Sequence, residues 1–592
     1  MLRLSPAPAD VAPSSFKRGK AYPRATAWFG FRSFWGHLWS LAASIIASED
    51  IDSRDWMQPD EPADLVRRIA TELGADAEAP TLTEALGRDL VIDFVADTGD
   101  DVSVSRAVAD LIFSEYEVDE GETVRVLPRG DLLLFGGDTA YPVASDLEIH
   151  NRVTVPFNQV LKQCADGRAR VLIGIPGNHD WYAGLDGFGR MFRAPLGEID
   201  RASMQVSALP PAPASTAPST IQMTQLKHFF QWVEAFRVGR NVVKRSALPL
   251  LGYRPVQNAS YWSLPLAPRL DLWGPDRQLY DVDDRQRLYF SRQRSETSEP
   301  NGIALCLADP PYAYLEPHDN GQRIFAALDV SFETDALLAL TGDTHHYCRM
   351  AFGKGMMVTA GGGGAFLHPA RIARKGLPVP DAEFPGPKAS LSLAWQSPVE
   401  IARGRAGWMI HAALLLAYLP MHVAARYEHP TLLGASLTGA VIAALLAFVY
   451  APRRPRAPEI VMVSALAGVF LGALPYGIGH LARDVNMRFE APSLLVDAAG
   501  LLAAVFIGAF IVGVYFAVLT VRGVAADQAF GSLAHPGYKH FVRLRVRKDG
   551  SGIDGFAIGK VDPLSESDPV VLVDRFSWEN PVRATASQSK TE

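Results

Sequence analysis

Cysteine is scarce in this 592-residue chain, which contains only three. Cys164, Cys306 and Cys348 lie far apart, are odd in number and form no CxxC pair. This spacing argues against a disulfide framework and against a zinc knuckle, because both need paired or closely spaced cysteines. A reducing compartment fits the sequence best.

An excess of basic residues is also lacking. The chain has 57 Lys and Arg against 64 Asp and Glu, which gives a formal net charge of −7 at pH 7. The chain has no excess of positive charge that would attract a polyanion, so nucleic acid is not an expected partner. The N-terminal stretch MLRLSPAPADVAPSSFKRGK also lacks the apolar run of a cleaved signal peptide.

Hydrophobic residues, in contrast, make up 48% of the chain, which is high for a soluble protein. Length and composition together predict four segments. The first, residues 1–60, combines a polar, Pro-rich start with an aromatic-rich stretch, Trp28–Ala47, that Arg32 and His37 interrupt. Its uninterrupted part is shorter than the ~20 residues of a membrane span. We expect a disordered start followed by an interfacial helix on a membrane, with a buried packing helix as the alternative.

The second segment, residues 61–400, alternates short apolar runs with amphipathic helical stretches, which predicts an α/β domain. Runs that are apolar on both faces are typical of strands buried between layers, so we expect a central sheet covered on both faces. An insertion is predicted from about 184 to 300, because Ser207–Thr220 is a Pro/Ala/Ser-rich linker and Gln222–Val238 has helical periodicity. We expect this insertion to overhang the functional site and to influence substrate choice.

The third segment, residues 401–525, contains four long apolar stretches, each about long enough to cross a ~30 Å hydrocarbon core. They predict a four-helix transmembrane region with the spans Ala406–Ala424, Thr431–Tyr450, Ile460–Leu481 and Ser493–Val521. The ends richer in arginine, near residues 403–405, 453–456 and 522, are expected in the cytoplasm. An even number of spans then places the α/β domain and the C-terminal tail of this multi-pass protein in the cytoplasm.

The fourth segment, residues 526–592, is predicted to be a small β-rich tail. From Tyr538 onward it alternates polar and apolar residues around Asp549-Gly550, which is typical of a β-hairpin. No chemistry is expected from it.

Polar residues directly follow five of the apolar runs in the second segment. They form the motifs Asp97-Thr98-Gly99, Gly137-Asp138-Thr139-Ala140-Tyr141, Gly177-Asn178-His179-Asp180, Ala308-Asp309 and Gly342-Asp343-Thr344-His345-His346. In α/β sheets ligands bind at the carboxyl ends of strands, and glycines there let the backbone turn sharply. Because carboxylates and imidazoles bind divalent cations, five such ends together predict a metal site.

This motif set resembles the calcineurin-like metallophosphoesterase superfamily, and in detail its purple-acid-phosphatase-type branch. That branch uses Asp-x-Gly, Gly-Asp-x-x-Tyr, Gly-Asn-His-Asp/Glu, a lone His, and Gly-His-x-His. The resemblance covers roughly residues 90–370, including Gly361–Gly364, and does not extend to the membrane region. It implies a layered α/β sandwich, two metal ions, and hydrolysis of a phosphomonoester or phosphodiester by a metal-bound hydroxide. At a membrane, the expected substrate is a lipid-linked or membrane-proximal phosphate ester.

The resemblance also implies a role for each matching residue. The implied metal ligands are Asp97, Tyr141 and His345 at the first ion, Asp138 as the bridge, and Asn178 at the second ion. His179 would orient the phosphate, and Asp180 would fix the His179 ring. His346 is a candidate general acid for the leaving group, with simple packing as its alternative. Tyr141 would favour Fe³⁺ as a tyrosinate, or would be a hydrogen-bonding residue beside the site.

Two positions depart from the family pattern, and both affect the second ion. Ala308 stands where the family has its lone His, and Asp343 stands at the first His of Gly-His-x-His. The remaining oxygen donors, Asp138, Asn178, Asp343 and the neighbouring Asp309, favour Mn²⁺, Mg²⁺ or Fe²⁺ over Zn²⁺. His318 is a remote candidate for the missing imidazole ligand. His150 and His368 are expected to be structural.

These departures leave two functions open. The first is a membrane-anchored, metal-dependent phosphoesterase. The alternative is a non-catalytic membrane sensor or scaffold that binds a metal or a phosphate through a degenerate second site. Transport through the four spans is a third reading, supported only by a few polar residues such as Asp497 and His480.

Overall fold

The computed structural model describes residues 2–7, 19–31, 33, 58–119, 123–195, 247–278, 282–295, 301–370, 372, 379–427, 432–450, 457–489, 493–524 and 526–582. Most of the stretch Trp28–Ala47, the linker Ser207–Thr220 and the helical stretch Gln222–Val238 lie outside the described residues.

The strands of the described residues are short in the first part of the chain and long in the last. Their bounds are β1 (Leu2–Arg3), β2 (Ser5–Pro6), β3 (Leu90–Val95), β4 (Tyr116–Asp119), β5 (Val124–Leu127), β6 (Leu132–Gly136), β7 (Arg170–Ile175), β8 (Tyr253–Pro255), β9 (Trp262–Ala267), β10 (Leu270–Gly274), β11 (Gly302–Leu307), β12 (Tyr312–Ala313), β13 (Glu316–Pro317), β14 (Leu337–Thr341), β15 (Tyr347–Phe352), β16 (Gly355–Ala360), β17 (Ala382–Phe384), β18 (Lys539–Val546), β19 (Gly552–Lys560) and β20 (Val571–Glu579).

The helices are short in the domain and long between residues 409 and 521. Their bounds are α1 (Pro62–Glu72), α2 (Leu82–Leu86), α3 (Val102–Ile112), α4 (Asp146–Ile149), α5 (Val155–Leu161), α6 (Asn178–Trp181), α7 (Asp186–Phe192), α8 (Asp284–Ser295), α9 (Asp319–Leu328), α10 (Pro387–Ala394), α11 (Ser397–Ala402), α12 (Met409–Tyr427), α13 (Leu432–Tyr450), α14 (Ala457–Phe489), α15 (Ser493–Val521) and α16 (Ala526–Leu533), with a π-helical turn, His150–Thr154, between α4 and α5.

Two large mixed sheets make up the α/β domain. One has eight strands in the order β2-β20-β19-β18-β3-β6-β7-β8, and the other has seven in the order β17-β15-β16-β14-β11-β10-β9. Strands β3, β6 and β7 run parallel, as do β10, β11, β14 and β16. The carboxyl ends of neighbouring parallel strands meet at one edge, where functional residues gather.

The strands are buried because both faces of each sheet are covered. Ile92 and Leu134 of one sheet share an apolar core with Leu272 and Leu340 of the other. On its opposite face, the first sheet packs against helices through residues such as Phe135. Apolar runs without polar alternation require this double burial. The predicted α/β class is confirmed, but two large sheets stand where the sequence predicts one central sheet, and the outer strand β20 has exposed residues.

Part of the predicted insertion belongs to the two sheets. Strand β8 pairs with β7, and β9 and β10 lie at one edge of the seven-stranded sheet. Their sequences, such as Leu270–Gly274, are too short to stand out beside the low-complexity linker. The range 184–300 was expected to be an insertion that overhangs the site, but part of it supplies strands to both sheets.

The C-terminal segment is β-rich, but it is not a separate tail. Strand β18 pairs antiparallel with β3, and β19 and β20 extend the same eight-stranded sheet. The hairpin expected around Asp549-Gly550 joins β18 to β19. The long helices between residues 409 and 521 therefore interrupt one domain rather than follow it.

Three of these helices are long and apolar enough to cross a membrane: Leu432–Tyr450, Ala457–Arg488 and Leu494–Val521. The first predicted span, Ala406–Ala424, corresponds to a shorter apolar helix, Met409–Val423. Three membrane-capable helices are thus found in the described residues where the sequence predicts four spans.

The domain packs directly on the last of the long helices. Ser397 at the start of α11 lies with its Oγ 3.3 Å from the carbonyl oxygen of Gly513 in α15. A Cβ at Gly513 would lie 2.4 Å from Cα of Pro398, so only glycine allows this approach. Helix α11 therefore lies against the final turns of α15.

Candidate metal centre

Three of the aspartates predicted at strand ends adopt a left-handed backbone conformation. Asp97, Asp138 and Asp343 have φ values of 57°, 49° and 65°. Aspartate tolerates this conformation better than most residues, and such strain is typical of functional sites. The three residues follow β3, β6 and β14, and the backbone N–H of Asp343 lies 3.0 Å from Oδ2 of Asp97. The two sheets therefore bring these carboxylates together.

The hydroxyl of Tyr141 lies at the centre of the first predicted ligand group. It is 3.0 Å from Oδ1 of Asp97, 3.2 Å from Oδ2 of Asp138 and 3.1 Å from Nε2 of His345. Burial first, and then the charges of Asp138 and Asp97, raise the pKa of Tyr141 well above its ordinary value. In the metal-free protein, Tyr141 is therefore a neutral phenol among the residues assigned to the first ion.

His345 is oriented so that one ring nitrogen faces this group. Its Nδ1 lies 2.7 Å from the carbonyl oxygen of Phe366, which can only accept, so Nδ1 carries the proton and Nε2 keeps its lone pair. Burial, and then the neighbouring His368, lower the pKa of His345 well below its ordinary value. A neutral imidazole with a carbonyl partner on its far nitrogen is the usual form of a metal-ligating histidine.

His368 supports His345 from behind. The two rings stack with centroids 4.1 Å apart and an interplanar angle of 2°. Nδ1 of His368 accepts from the backbone N–H of His345 at 3.0 Å. These contacts fit the structural role expected of His368.

A second donor group lies beside the first. One ligand atom from each of Asp309, His318 and Asp343 lies within 4.8 Å of the others, which makes these residues a possible metal-binding triad. His318 is the N-cap residue of α9, and its buried Nδ1 has no hydrogen-bond partner among the described residues. His318, a remote candidate by sequence, therefore lies beside Asp309 and Asp343.

The combined site concentrates negative charge in a buried place. Burial first, and then the charges of Asp138 and Asp343, raise the pKa of Asp97 well above its ordinary value. Burial also raises the pKa of Asp138 to about 6, and burial together with Asp309 raises that of Asp343 to about 7. Closely spaced carboxylates raise each other's pKa values unless a cation neutralises them. The donor set therefore fits bound metal ions.

Arg277 is a site residue that the sequence reading missed. It is buried, and its Nε lies 2.7 Å from Oδ2 of Asp309. Its charge opposes the burial-driven rise in the pKa values of Asp138 and Asp343. Arg277 lies just beyond the end of β10, so the strand-end rule would have found it had β10 been recognised.

The motif that contains Asn178 and His179 turns directly from β7 into α6. The backbone N–H of His179 donates to Oδ1 of Asp138 at 2.9 Å, and Nδ2 of Asn178 donates to the Tyr182 hydroxyl at 3.0 Å. Nδ1 of His179 lies 2.7 Å from the carbonyl oxygen of Pro142, which places the proton on Nδ1. Burial lowers the pKa of His179 to about 4. The ring is therefore neutral, with its proton on Nδ1 and none on Nε2.

Asp180 does not fix the His179 ring, which was its expected role. Its Oδ2 accepts from the backbone N–H groups of Gly177 at 2.9 Å and of Thr139 at 3.2 Å. Burial, and then the charge of Asp138, raise its pKa to about 7. The carboxyl group therefore joins two strand-end turns to each other, while the Pro142 carbonyl orients the ring.

His346 lies apart from the donor groups. Its ring is 5.5 Å from that of Tyr314, and it influences the pKa values of His368 and His540. Burial lowers the pKa of His346 to about 4. The structure gives it no contact with the site carboxylates among the described residues, so the packing alternative describes it better than the general-acid one.

Comparisons with known proteins do not place the chain in a family. No family model matches it, and no curated protein matches it. One similar solved structure is GAP50, the anchor in the inner membrane complex of Plasmodium, at 10% identity and a TM-score of 0.26, over 48% of this chain and 74% of that one. Another is PhoD, at 9% identity and a TM-score of 0.25, over 47% of this chain and 58% of that one. Similarity at this level assigns no activity.

Proposed function

We propose that this chain is a membrane-anchored, metal-dependent phosphoesterase that hydrolyses a phosphomonoester or a phosphodiester. The observation that carries the proposal is the meeting of two donor groups at the strand ends. One is centred on the Tyr141 hydroxyl, and the other is the triad Asp309, His318 and Asp343. Neighbouring divalent cations are the usual means of hydrolysing phosphate esters.

The residues divide naturally between two ions. The proposed ligands are Asp97, Asp138, Tyr141 and His345 for the first ion, and Asp138, Asn178, Asp309, Asp343 and His318 for the second. Most of the second set are oxygen donors, which favour Mn²⁺, Mg²⁺ or Fe²⁺ over Zn²⁺. His318 supplies one imidazole in place of the one that Ala308 cannot provide.

The protein's own groups would position the phosphate. Bound cations supply Lewis acidity towards the phosphate oxygens and towards water. Arg277 presents a guanidinium group whose geometry matches phosphate oxygens. His179 is held by the Pro142 carbonyl at Nδ1 and by Asp138 at its backbone N–H, and these two contacts fix the direction of its ring. These groups orient the ester so that water can cleave its P–O bond.

Hydrolysis of aryl phosphates tests the proposal. The purified chain is supplied separately with Mn²⁺, Fe²⁺ and Mg²⁺ and given 4-nitrophenyl phosphate or its bis ester. Wild-type protein is expected to release nitrophenol, and Asp138→Asn to lower kcat/KM by about 100-fold or more. Asp64→Asn, on the surface of α1, is the matched control. Absence of hydrolysis with every metal overturns the proposal.

One observation favours a second function. Arg277 already pairs with Asp309 inside the triad, and its charge can take the place of a cation there. A protein in which this pair persists holds one ion and binds phosphate without hydrolysing it, as a sensor or scaffold. Binding of inorganic phosphate without turnover, together with one metal ion per chain, would distinguish this function from the enzyme.

The sheet connection supports the proposed membrane topology. Because β3 and β18 pair, the chain leaves the domain before α12 and returns to it after α15. The intervening helices must then cross the membrane an even number of times. With the three membrane-capable helices and the shorter Met409–Val423, four crossings satisfy this condition. The arginine-rich ends support a cytoplasmic location for the domain.

A further inference from the structure

A segment near the N-terminus is fixed to the domain beside the metal centre. Residues 23–30, here called the strap, lie along the start of α3. The backbone N–H of Thr26 donates to Oδ1 of Asp100 at 2.7 Å, and that of Ala25 donates to Oδ2 of Asp101 at 3.2 Å. The strap therefore has a defined position.

Trp28 of the strap lies against the candidate site. Its ring centroid is 6.0 Å from that of His179, 6.2 Å from that of Tyr141 and 5.3 Å from that of Phe366, all in edge-on arrangements. His179 and Tyr141 are the residues assigned to phosphate and metal. Trp28 is therefore an apolar wall of the site.

Phe29, the next residue, lies against the membrane region. Its ring stacks on Phe516 of α15 with centroids 5.8 Å apart and an interplanar angle of 12°. Its backbone N–H donates to the Ala406 carbonyl at 2.9 Å, and its carbonyl accepts from Met409 at 3.0 Å. Gly407 has a φ of 115°, and a Cβ there would lie 2.3 Å from the Phe29 carbonyl. The strap is thus joined to the start of α12.

Exposed apolar side chains mark the membrane surface at this level. Trp395, directly after α10, and Trp408, just before α12, are 48% and 51% exposed, and Phe31, directly after the strap, is 59% exposed. Tryptophan is enriched where a membrane meets water. Arg403, between the two tryptophans, has an exposed side chain as well. This composition is the one expected where helices enter a membrane, and the strap lies next to it.

A cavity of about 240 Å³ lies at the same junction. Its lining includes strap residues 24–27, together with Phe366 and Arg405. Phe366 also contacts the site, because its carbonyl accepts from Nδ1 of His345. Phe366 therefore belongs both to the wall of this cavity and to the surroundings of His345.

We propose that the substrate of this site is an amphiphilic phosphate ester whose apolar chain stays at the membrane while its phosphate passes Trp28 to the metal centre. This inference rests on the proposed function. Consecutive Cα atoms are about 3.8 Å apart, so Trp28 and Phe29 bring the phosphate-facing His179 and the membrane helix within a few side-chain lengths. Hydrolysis adds water across the P–O ester bond and gives a long-chain alcohol and a phosphate.

Chain-length preference tests the proposal. The full chain in phosphatidylcholine nanodiscs is loaded with Mn²⁺ and given butyl or dodecyl phosphate, and the 4-nitrophenyl diesters of the same alcohols. Wild-type protein is expected to show a kcat/KM at least tenfold higher for the dodecyl esters. Trp28→Ala is expected to reduce this ratio to below threefold. Tyr22→Ala, which removes an exposed ring just before the strap, is the matched control and keeps the ratio.

A binding measurement separates the two proposals. Broadening of the ³¹P signal of dodecylphosphonate by protein-bound Mn²⁺ is compared with that of butylphosphonate, with empty nanodiscs as the blank. Equal kcat/KM values for short and long esters, or equal phosphonate binding, overturn the amphiphilic substrate while hydrolysis stands. A different result is that no ester is hydrolysed, but the protein binds dodecylphosphonate better than butylphosphonate and loses this preference in Trp28→Ala. That result overturns the enzyme and supports the amphiphilic ligand.

Discussion

Arg543 and Asp93 form a buried ion pair although they lie 450 positions apart in the chain. Nε of Arg543 is 2.6 Å from Oδ1 of Asp93 and Nη2 is 3.1 Å from Oδ2, and both side chains are 1% exposed. The remaining N–H groups of Arg543 donate to backbone carbonyls, including that of Ile112 at 2.8 Å. The pair joins β18 to β3, on opposite sides of the membrane region in sequence.

Arg543→Met is expected to lower the free energy of unfolding by about 3–5 kcal/mol, because it leaves Asp93 buried without its partner. The loss in the free energy of unfolding is measured by chemical unfolding of the detergent-solubilised protein, in which the unfolding of the α/β domain is followed. Arg575→Met, at an exposed position of β20, is the control and should change stability by less than about 0.5 kcal/mol. A loss in Arg543→Met no larger than that in the control would contradict the joining of β18 to β3 by this buried pair.

Single cysteines test the even number of crossings. In a Cys164→Ser background, Met487→Cys near the end of α14 and Arg403→Cys before α12 place exposed thiols at opposite ends of the helical region. In intact cells an impermeant maleimide should label the Met487 variant only, and it should label the Arg403 variant after lysis. Labelling of both before lysis contradicts the proposed topology.

Tyr141→Phe removes the hydroxyl that contacts Asp97, Asp138 and His345. Because Tyr141 is a proposed ligand, we expect the affinity for the first metal ion to fall at least as much as it does when a partner that only orients a ligand is lost, which is about 10–100-fold. Competition with a chelator measures the affinity. Tyr22→Phe, at an exposed ring, should leave it unchanged. Unchanged affinity in Tyr141→Phe would remove this residue from the metal centre.

Asp180 gives the metal-free protein a predictable pH dependence. Its pKa in the folded protein, about 7, is raised above that of an unfolded Asp, about 3.9. The folded state therefore keeps a proton that the unfolded state releases, so stability falls as pH rises from about 4 to about 7. Asp180→Asn keeps both hydrogen bonds from Gly177 and Thr139 and removes the titration. As pH rises across this range, the melting temperature should fall less in the variant than in the wild type. An equal fall in both proteins would show that Asp180 does not cause the pH dependence of stability.

Local sequence patterns locate Asp97, Asp138 and Asp343 because each directly follows a buried apolar run. They do not locate His318, since the chain reverses through the hairpin β12–β13 before it reaches α9. That reversal brings a residue nine positions beyond Asp309 back to the same strand end. Spacing alone made His318 look remote, and only the folded hairpin shows it beside Asp309 and Asp343.

The pairing of β18 with β3 illustrates a second limit. Alternation of polar and apolar residues predicts the β18–β19 hairpin, because a hairpin is a local feature. The partner strand β3 lies on the other side of the membrane helices, and no local pattern names it. For the same reason, the contacts of Trp28 with His179 and of Phe29 with Phe516 depend on the folded junction rather than on residue spacing.

The metal content of the purified chain tests the central claim most directly. Elemental analysis of wild-type protein, after loading with Mn²⁺ or Fe²⁺ and removal of excess metal, should give about two ions per chain. A variant carrying His318→Ala and Asp343→Asn should keep about one, while Asp64→Asn keeps two. One ion or none in the wild type, or a content unchanged by the double substitution, would contradict a binuclear centre built from these two donor groups.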